Sequence, residues 1–318
     1  MERDVHLNQR LQKSSAWLAF LALAAAMSLV GIYVALSKPL VAAFPVMLLA
    51  WLRFGIGAVY MLPWLRADPT EAPLNKQMHR LLFLESLMGN FLFSICMLYG
   101  VSLAGASAAA IVFAAIPAAV AVLSCLFLKE HLSQRTLLSI AMGVTGIALF
   151  AISKLADSGS SDQASPVSQT LFGLVLLVGA VICEASYVVI GKQLTQTVSA
   201  KRISAIVNIW GLVLMTPFGL WFAYQFDFGK VAWSAWGLLV FYALAASAWS
   251  VQLWMTGIKT IPASKAGVMT VMLPISATLT GILFLNENIG NLQLLALAFA
   301  LLGAILATTG RVIKPIAP

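Results

Sequence analysis

The chain has 318 residues, of which 61% are hydrophobic and 9% are charged, and its mean hydropathy is +0.95. Water-soluble domains contain about 45–50% apolar and about 25% charged residues, so this chain has too little charge to cover a soluble fold and is predicted to lie in a lipid bilayer. The net charge of +8 does not indicate nucleic-acid binding, because the basic residues fall between apolar runs, as they do in membrane proteins.

Ten apolar runs follow one another along the chain, each about as long as the roughly 20 residues with which a helix crosses the hydrocarbon core. Because only a helix satisfies its own backbone polar groups in lipid, we predict an all-α membrane protein with ten transmembrane helices. The longest connection, Lys154–Gln169, is rich in Ser, Asp and Gly and is predicted to be a linker between two sets of five spans. The predicted spans are Ala16–Ser37, Phe44–Leu65, Leu81–Gly100, Ala106–Leu128, Thr136–Ser153, Leu171–Ile190, Ile203–Tyr224, Ala235–Thr256, Ala263–Leu285 and Leu292–Thr309.

Lysine and arginine residues are distributed unevenly between the two sides of these spans. With the N-terminus inside, most of them fall on the inner side, and only Lys38, Lys154 and Lys230 fall on the outer side. Cytoplasmic loops carry such an excess of positive charge, so both termini are predicted to be cytoplasmic and the linker extracytoplasmic. A span missed in mid-chain would have exchanged the two sides, so the distribution also supports the predicted count of spans.

The two halves of the chain resemble each other in sequence. Pro117 and Glu130 recur as Pro274 and Glu287, in both cases 157 positions later. Because each half holds an odd number of predicted spans, the second half must insert upside down relative to the first. Inverted repeats build many secondary transporters, with the substrate site between the repeats, so this symmetry favours a transporter over a membrane enzyme. Further matched pairs are Ser107 and Ser264, Gly100 and Gly257, Leu128 and Leu285, and Gly146 and Gly303 at the same offset, and Tyr33 and Tyr187, Lys38 and Lys192, Gly57 and Gly211, and Pro63 and Pro217 at an offset of 154.

The residues that carry the repeat also resemble a known family. The segment from Ser107 to Leu132 reads SAAAIVFAAIPAAVAVLSCLFLKEHL, and its counterpart from Leu273 reads LPISATLTGILFLNENI. A proline near mid-span, followed by a helix of small residues that ends in F-L-x-E, is similar to the EamA-type transporters of the drug/metabolite transporter superfamily. Arg53, within W-L-R-F-G, stands where that family usually has an arginine. The chain departs from the family pattern at Lys129, where a glycine is frequent.

This resemblance implies two inverted five-helix repeats in a bacterial inner membrane. The expected division is a first repeat over residues 1–153, the linker over 154–169, a second repeat over 170–310 and a cytoplasmic tail over 311–318. Members of the family typically export amino acids or related small metabolites, so we expect a small-molecule substrate that is exported by alternating access. Coupling of this export to protons is one option. A passive facilitator or a drug exporter of the same fold remains an alternative. A membrane-embedded enzyme is a weaker one, because such enzymes generally cluster His, Asp or Glu at a membrane face.

No metal, cofactor or disulfide is expected. The cysteines fall within apolar runs in an odd number, and the histidines are scattered outside the spans without the spacing of metal ligands. The fifth and tenth predicted spans have few polar residues, and Gly143, Gly146 and Gly303 would allow close packing there, either as scaffold or in a homodimer. The residues concerned are Cys96, Cys125 and Cys183, and His6, His79 and His131.

Three charged residues lie within predicted spans, where a charge is costly and usually faces the bundle interior or a cavity. Glu184 lies on one helical stripe with Tyr187, together with small residues, and could serve proton coupling or bind a substrate amine; alternatively it pairs with Arg53 or packs against a helix. Glu85 could line the site, reach the membrane surface or pair with Arg80. Arg53, near the centre of its span, is expected to be structural or gating rather than a ligand contact.

Polar and aromatic residues on neighbouring spans would complete a cavity for a small amphiphilic solute, although buried amides serve equally well as hydrogen bonds between helices. Pro117 and Pro274 should kink the fourth and ninth spans, either for gating or to shape the bundle. Glu130 and Glu287, at the membrane boundary, are expected to fix the turn into the next helix. The proposed rows are Tyr242, Trp249 and Gln252 on the eighth span, Ser204, Asn208, Gly211 and Met215 on the seventh, and Ser86, Asn90 and Ser94 on the third.

Overall fold

The computed structural model describes residues 2–66, 73–128, 134–157, 167–195, 197–258 and 267–308. Within these ranges the secondary structure is entirely helical. The α-helices are α1 (Glu2–Ala43), α2 (Val46–Met61), α3 (Lys76–Ser86), α4 (Phe93–Ala104), α5 (Ala106–Phe113), α6 (Ile116–Leu128), α7 (Gln134–Asp157), α8 (Val167–Leu194), α9 (Ala200–Gln225), α10 (Trp233–Leu244), α11 (Ser250–Ile258), α12 (Met272–Leu285) and α13 (Asn291–Thr308). Short 3₁₀ helices cover Leu62–Leu65, Phe228–Lys230 and Gly267–Val271, and π-helical turns cover Leu87–Leu92 and Ala245–Trp249.

Six helical stretches among the described residues are long and apolar enough to cross a membrane, or seven if the bent pair α5 and α6 is one span. Three shorter apolar helices, over Leu137–Ser153, Met269–Leu285 and Asn291–Leu306, fall where the fifth, ninth and tenth spans are predicted. The prediction of an all-helical, multi-pass membrane protein is therefore confirmed. The count of ten crossings stays a prediction.

Several helix boundaries differ from the predicted ones. The first helix begins at Glu2 and continues through Pro39 to Ala43, so Lys38 is helical rather than in a loop. A proline within a helix removes one backbone hydrogen bond, and the apolar residues around it keep the helix going. The predicted linker is shorter than expected at both ends, since α7 continues to Asp157 and α8 begins at Val167. Glu130 and His131, like Lys129, lie outside the described residues.

Both singled-out prolines lie in the first turns of helices that follow a break. The fourth predicted span bends by 41° between α5 and α6, and Pro117 is the second residue of α6. In the ninth, the 3₁₀ turn Gly267–Val271 precedes α12, of which Pro274 is the third residue. Proline is tolerated at a helix start because the first backbone N–H groups of a helix have no intrahelical partner. The expected interruptions are present, and they take the form of helix restarts rather than of kinks in a continuous helix.

The third and eighth predicted spans each contain a π-helical turn that sequence periodicity did not predict. In a π turn, hydrogen bonds join residues five apart, so the helix winds through less than 100° per residue and later side chains point elsewhere. The eighth-span row of Tyr242, Trp249 and Gln252 assumed unbroken α-helical periodicity, and the turn Ala245–Trp249 interrupts it. Spacing alone therefore no longer supports that common face, which stays a prediction.

The helices pack mainly in pairs drawn from opposite halves of the chain. The closest pairs are α7 with α13, α4 with α8, α1 with α12, α2 with α9 and α1 with α11. Side chains at the middle of this bundle form one large buried apolar cluster. Large apolar residues also cover the outside, among them Trp233 (90% exposed) and Phe284. An outer surface of this kind is suited to lipid rather than water.

Candidate functional site

Four polar side chains from four helices approach one another in the middle of the bundle. They are Tyr33 of α1, Arg53 of α2, Glu184 of α8 and Tyr242 of α10. The rings of Tyr33 and Tyr242 meet edge to face, with their centroids 5.7 Å apart. Tyr33 lies within electrostatic range of Glu184 and of Arg53. We call these four residues the central polar group.

Arg53 is buried, with 5% of its surface exposed, and only part of its guanidinium group is bonded. Nη2 donates a hydrogen bond to the Ser94 hydroxyl of α4 at 3.0 Å, and the group lies over the Phe54 ring, 4.3 Å from its centroid. Ser94 in turn donates to the Asn90 carbonyl at 2.5 Å. Nε of Arg53 has no hydrogen-bond partner among the described residues. The side chain is held in place while one donor stays unused.

Tyr242 is fully buried, and its hydroxyl lies close enough to Arg53 to interact with it, but no partner among the described residues meets hydrogen-bond geometry. Leaving a buried polar group unpaired costs about 1–3 kcal/mol, and native proteins rarely do so without a reason. An unused hydroxyl beside an unused guanidinium N–H fits a ligand group that accepts hydrogen bonds from both.

Glu184 lies at the middle of α8 and is partly exposed. It is within electrostatic range of Tyr33 and of Tyr187, which follows one turn later on the same helix. The Tyr187 ring covers Gly89 in the π turn of the third predicted span, where a Cβ would overlap it. The stripe that contains Glu184 therefore faces α1 and the third predicted span, which agrees with its expected orientation toward protein.

Glu85 is 1% exposed, and the expectation that it reaches the membrane surface is wrong. One carboxylate oxygen lies against Gly191 of α8, where a Cβ would be 2.8 Å away. The other oxygen, Oε2, is buried without a hydrogen-bond partner among the described residues. Glu85 and Tyr187 thus lie along the same seam between α8 and the third predicted span, with Tyr187 between the two glutamates.

Two of the three predicted amides, Asn90 and Asn208, act as ties between helices. Ser86 and Asn90 both donate to the Val207 carbonyl of α9, at 2.8 and 3.0 Å. Asn208 donates to the Phe54 carbonyl of α2 at 3.0 Å and accepts from Ser247 at 3.3 Å. The alternative that buried amides serve as interhelical hydrogen bonds accounts for both positions.

Two further predicted residues, Trp249 and Gln252, lie at the end of the π turn in the eighth predicted span and beyond it. Trp249 contacts Phe241 edge to face, with centroids 6.0 Å apart, and packs beside Met61 and Ala248. Gln252 is on α11, beyond the π turn, and is partly buried. Ser94, predicted in the third-span row, lies near the centre and bonds to Arg53. Tyr33 is also near the centre but was not singled out as a candidate, and its match to Tyr187 in the repeat was the available signal.

Among the described residues, no three or more His, Cys, Asp or Glu side chains are grouped so that they could hold a metal ion. The central polar group instead contains one cation, one carboxyl group and two tyrosine hydroxyls, with Glu85 farther along the seam with α8. Such a set can bind a small solute that carries both a hydrogen-bonding anionic group and a cationic group.

Comparisons with known proteins agree with this architecture. One family profile, described as the EamA-like transporter family, matches residues 16–152 and again 171–309. "Uncharacterized transporter YetK" of Bacillus subtilis is 34% identical over 291 residues, which are 91% of this chain and 86% of that protein. "Uncharacterized transporter YyaM" of the same organism is 24% identical over 71% of this chain and 72% of its own.

One solved crystal structure superposes with a TM-score of 0.59 at 17% sequence identity, covering 93% of this chain and 96% of that one. At this identity the likeness concerns the fold alone. The family profile covers most of the chain in two segments, and a relative matches it nearly end to end. A transporter family also accounts for the lack of enzyme-like residue clusters in the sequence. The chain belongs to the EamA-like transporter family.

Proposed function

We propose that the protein is a secondary-active transporter of the bacterial inner membrane that exports amino acids or related small metabolites by alternating access. It has ten spans in two inverted repeats, over residues 1–153 and 170–310, with both termini in the cytoplasm. The membership in a transporter family supports the activity. The repeat of matched residues and the distribution of basic residues support the topology.

The proposed substrate class rests on polar atoms at the centre of the bundle that have no hydrogen-bond partner among the described residues. Nε of Arg53 and the hydroxyl of Tyr242 are unused donors in the described structure, and Glu184 is within electrostatic range of Tyr33, which lies beside Tyr242. A carboxylate would accept from Arg53 and Tyr242, and an ammonium group would be attracted to Glu184. A small zwitterion satisfies both ends at once.

Glu184 is proposed as the coupling group. A carboxyl group inside a span that alternately binds a proton and a substrate amine would exchange one for the other, because the two compete for the same negative charge. Export of the substrate would then be driven by proton entry. A passive facilitator would use the same binding residues without that exchange.

Counterflow into proteoliposomes tests this proposal directly. Purified protein is reconstituted and loaded with a panel of amino acids, sugars, nucleosides and organic cations, with and without a proton gradient. We expect uptake of one class of amino acids, and we expect the proton gradient to accelerate that uptake. Uptake without gradient dependence would identify a facilitator. Uptake of hydrophobic cations alone would identify a drug exporter and overturn the substrate class.

A further inference from the structure

Glu287 does more than fix the turn after α12. Helix α12 ends at Leu285, and Asn286 adopts the left-handed conformation with φ of 51°, which asparagine tolerates better than most residues. The backbone N–H of Glu287 then bonds to the Gly281 carbonyl at 3.0 Å. This turn directs the carboxylate back along α12, where a Cβ at Gly281 would lie 3.0 Å from Oε2. The side chain therefore faces the bundle rather than the next helix.

The carboxylate of Glu287 joins two helices from the other half of the chain. It accepts hydrogen bonds from the backbone N–H groups of Ala106 at 3.1 Å and Ser107 at 2.9 Å, which are the first two residues of α5, and from the Ser107 hydroxyl. Lys38 of α1 donates to the same carboxylate at 2.5 Å. The approach is close because Gly105, which has a φ of 89°, precedes α5. A Cβ at Gly105 would lie 3.2 Å from Oε1 of Glu287. Both oxygens are thus occupied by donors from α1 and α5.

The surroundings of Glu287 favour the charged form of its carboxyl group. Burial alone would raise the pKa of Glu287, but the hydrogen bonds from Lys38 and Ser107, the Lys38 charge and the Ala106 N–H together hold it below its usual range. The helix N-terminus contributes further, since its free N–H groups attract a negative charge. The side chain of Glu287 is 12% exposed and that of Lys38 is 40% exposed. The contact is therefore at the edge of the bundle, where water can replace its donors when the helices separate.

We propose that Glu287, Lys38 and Ser107 form a latch that holds one membrane face of the transporter closed and that must open for solute to pass through that face. The latch joins α1, α5 and α12, and Ser37, the residue before Lys38 on α1, lies next to it with its hydroxyl 3.8 Å from the Met97 sulfur of α4. Ser37 is fully buried and donates to the Val34 carbonyl at 2.7 Å. Two turns earlier on α1, Gly31 packs closely against the α12 backbone at Leu273 and Ala277 and against the Ser276 hydroxyl. This inference rests on the proposed alternating access.

An ion pair suits this role better than further apolar packing would. Apolar contacts are non-directional, whereas a carboxylate with four donors is either bonded to them or hydrated. The exposed pair Lys230–Asp227, at 3.1 Å within one short loop, lacks this property because it joins no separate helices. It serves as a matched control, since it is also an ion pair outside the spans.

The test measures the reactivity of two buried reporter cysteines and needs no substrate. In a chain whose three native cysteines are replaced by alanine, Ser37→Cys reports on the buried part of α1 next to the latch. Ser86→Cys reports on the third predicted span, seven residues beyond His79 and far from the latch in the bundle. Both serines are fully buried, and a thiol is close to a hydroxyl in size. N-ethylmaleimide is added to the full-length protein in detergent, and the modification rate of each reporter is followed by mass spectrometry.

Glu287→Gln and Lys38→Met are expected to accelerate modification of the reporter at position 37 about tenfold, because charge-assisted hydrogen bonds of this kind are worth somewhat more than a tenfold change in an equilibrium. The reporter at position 86 should keep its rate or react more slowly, and Asp227→Asn should move neither. Equal acceleration of both reporters would mean general loosening and would overturn the latch, as would an unchanged rate at position 37. If Glu287→Gln does not yield folded protein, Ser107→Ala removes one donor and should still accelerate position 37 about twofold to fivefold.

The outcome is separable from that of the transport assay. A protein that transports nothing in counterflow but whose position-37 reporter responds selectively would retain the latch and lose the proposed substrate class. A protein that transports amino acids while its reporters do not respond would retain the function and lose the latch.

Discussion

Replacing Tyr242 by Phe should make the substrate-free protein more stable and its substrate binding weaker. The Tyr242 hydroxyl is buried and lacks a hydrogen-bond partner among the described residues, so the phenol carries a desolvation cost that phenylalanine does not. The ring itself would stay in its edge-to-face contact with Tyr33, at a centroid distance of 5.7 Å. The two effects therefore have opposite signs, which a purely structural tyrosine would not produce.

The magnitudes follow from the hydroxyl alone. Relief of one unpaired buried group is worth about 1–3 kcal/mol in the free energy of unfolding, and in a protein of this size each kcal/mol raises the midpoint of thermal unfolding by about 2 °C. Loss of one hydrogen bond to a substrate carboxylate costs about 1.5–3 kcal/mol, so the affinity for the transported solute should fall roughly 10-fold to 100-fold.

The assay compares thermal unfolding of the purified variant without substrate, followed by tryptophan fluorescence, with the concentration dependence of counterflow. Tyr60→Phe is the matched control, because Tyr60 is 40% exposed on the outside of α2 and its hydroxyl is not confined. That control should change neither quantity. A Tyr242→Phe protein less stable than the Tyr60→Phe protein, or one with unaltered affinity, would refute the assignment of the hydroxyl to the solute.

Three further outcomes are expected. Gly31→Ala should destabilise the protein by about 1–3 kcal/mol in thermal unfolding, because its Cβ would lie 2.8 Å from the Ala277 backbone nitrogen, whereas Gly237→Ala, with nothing within 4 Å, should be neutral. Asn208→Ala should lower stability by about 1 kcal/mol without changing which solute is carried, since the amide ties helices together; a changed substrate profile would contradict this. Glu184→Gln should weaken substrate binding, because the charge that attracts the ammonium group is lost, and should remove the dependence of the remaining counterflow on a proton gradient; a variant that still responds to the gradient would exclude Glu184 as the coupling group.

The helical content and the position of the apolar segments could be predicted from the sequence because lipid leaves the backbone few choices. A run of apolar residues in a bilayer becomes a helix, and the runs that begin at Leu171 and Ile203 became α8 and α9 with ends within a few residues of the predicted ones. The ends of helices were harder to predict where a helix continues past polar residues. The first helix includes Lys38, because the lysine amine can leave the helix to reach Glu287 while its backbone stays helical.

The centre of the site was only partly predictable. Charge within an apolar run identified Arg53, Glu85 and Glu184, because burying a charge is costly enough to need a reason. Which polar residues would be used by neighbouring helices, and which left free, depends on distances between helices that sequence does not contain. Asn90 and Asn208 looked like cavity residues and are bonded to α9 and α2, while Tyr242, proposed on the same grounds, has an unused hydroxyl.

The two π turns, at which α-helical periodicity breaks down, lie at corresponding positions of the two halves. The π turn Leu87–Leu92 and the π turn Ala245–Trp249 fall at nearly the same place in the two halves, since their starts are 158 positions apart and their ends 157. Asn90 and its counterpart Ser247 both direct a hydrogen bond to α9, one to the Val207 carbonyl and the other to the Asn208 side chain. The side chains differ, so the resemblance of the halves in sequence does not show at these positions, yet the backbone departs from the α-helix in both. π turns are rare and concentrate at functional sites. A pair of them at matched positions, each anchored to α9 beside the helix that carries Arg53, is what a structure built by duplication around a central solute site would retain.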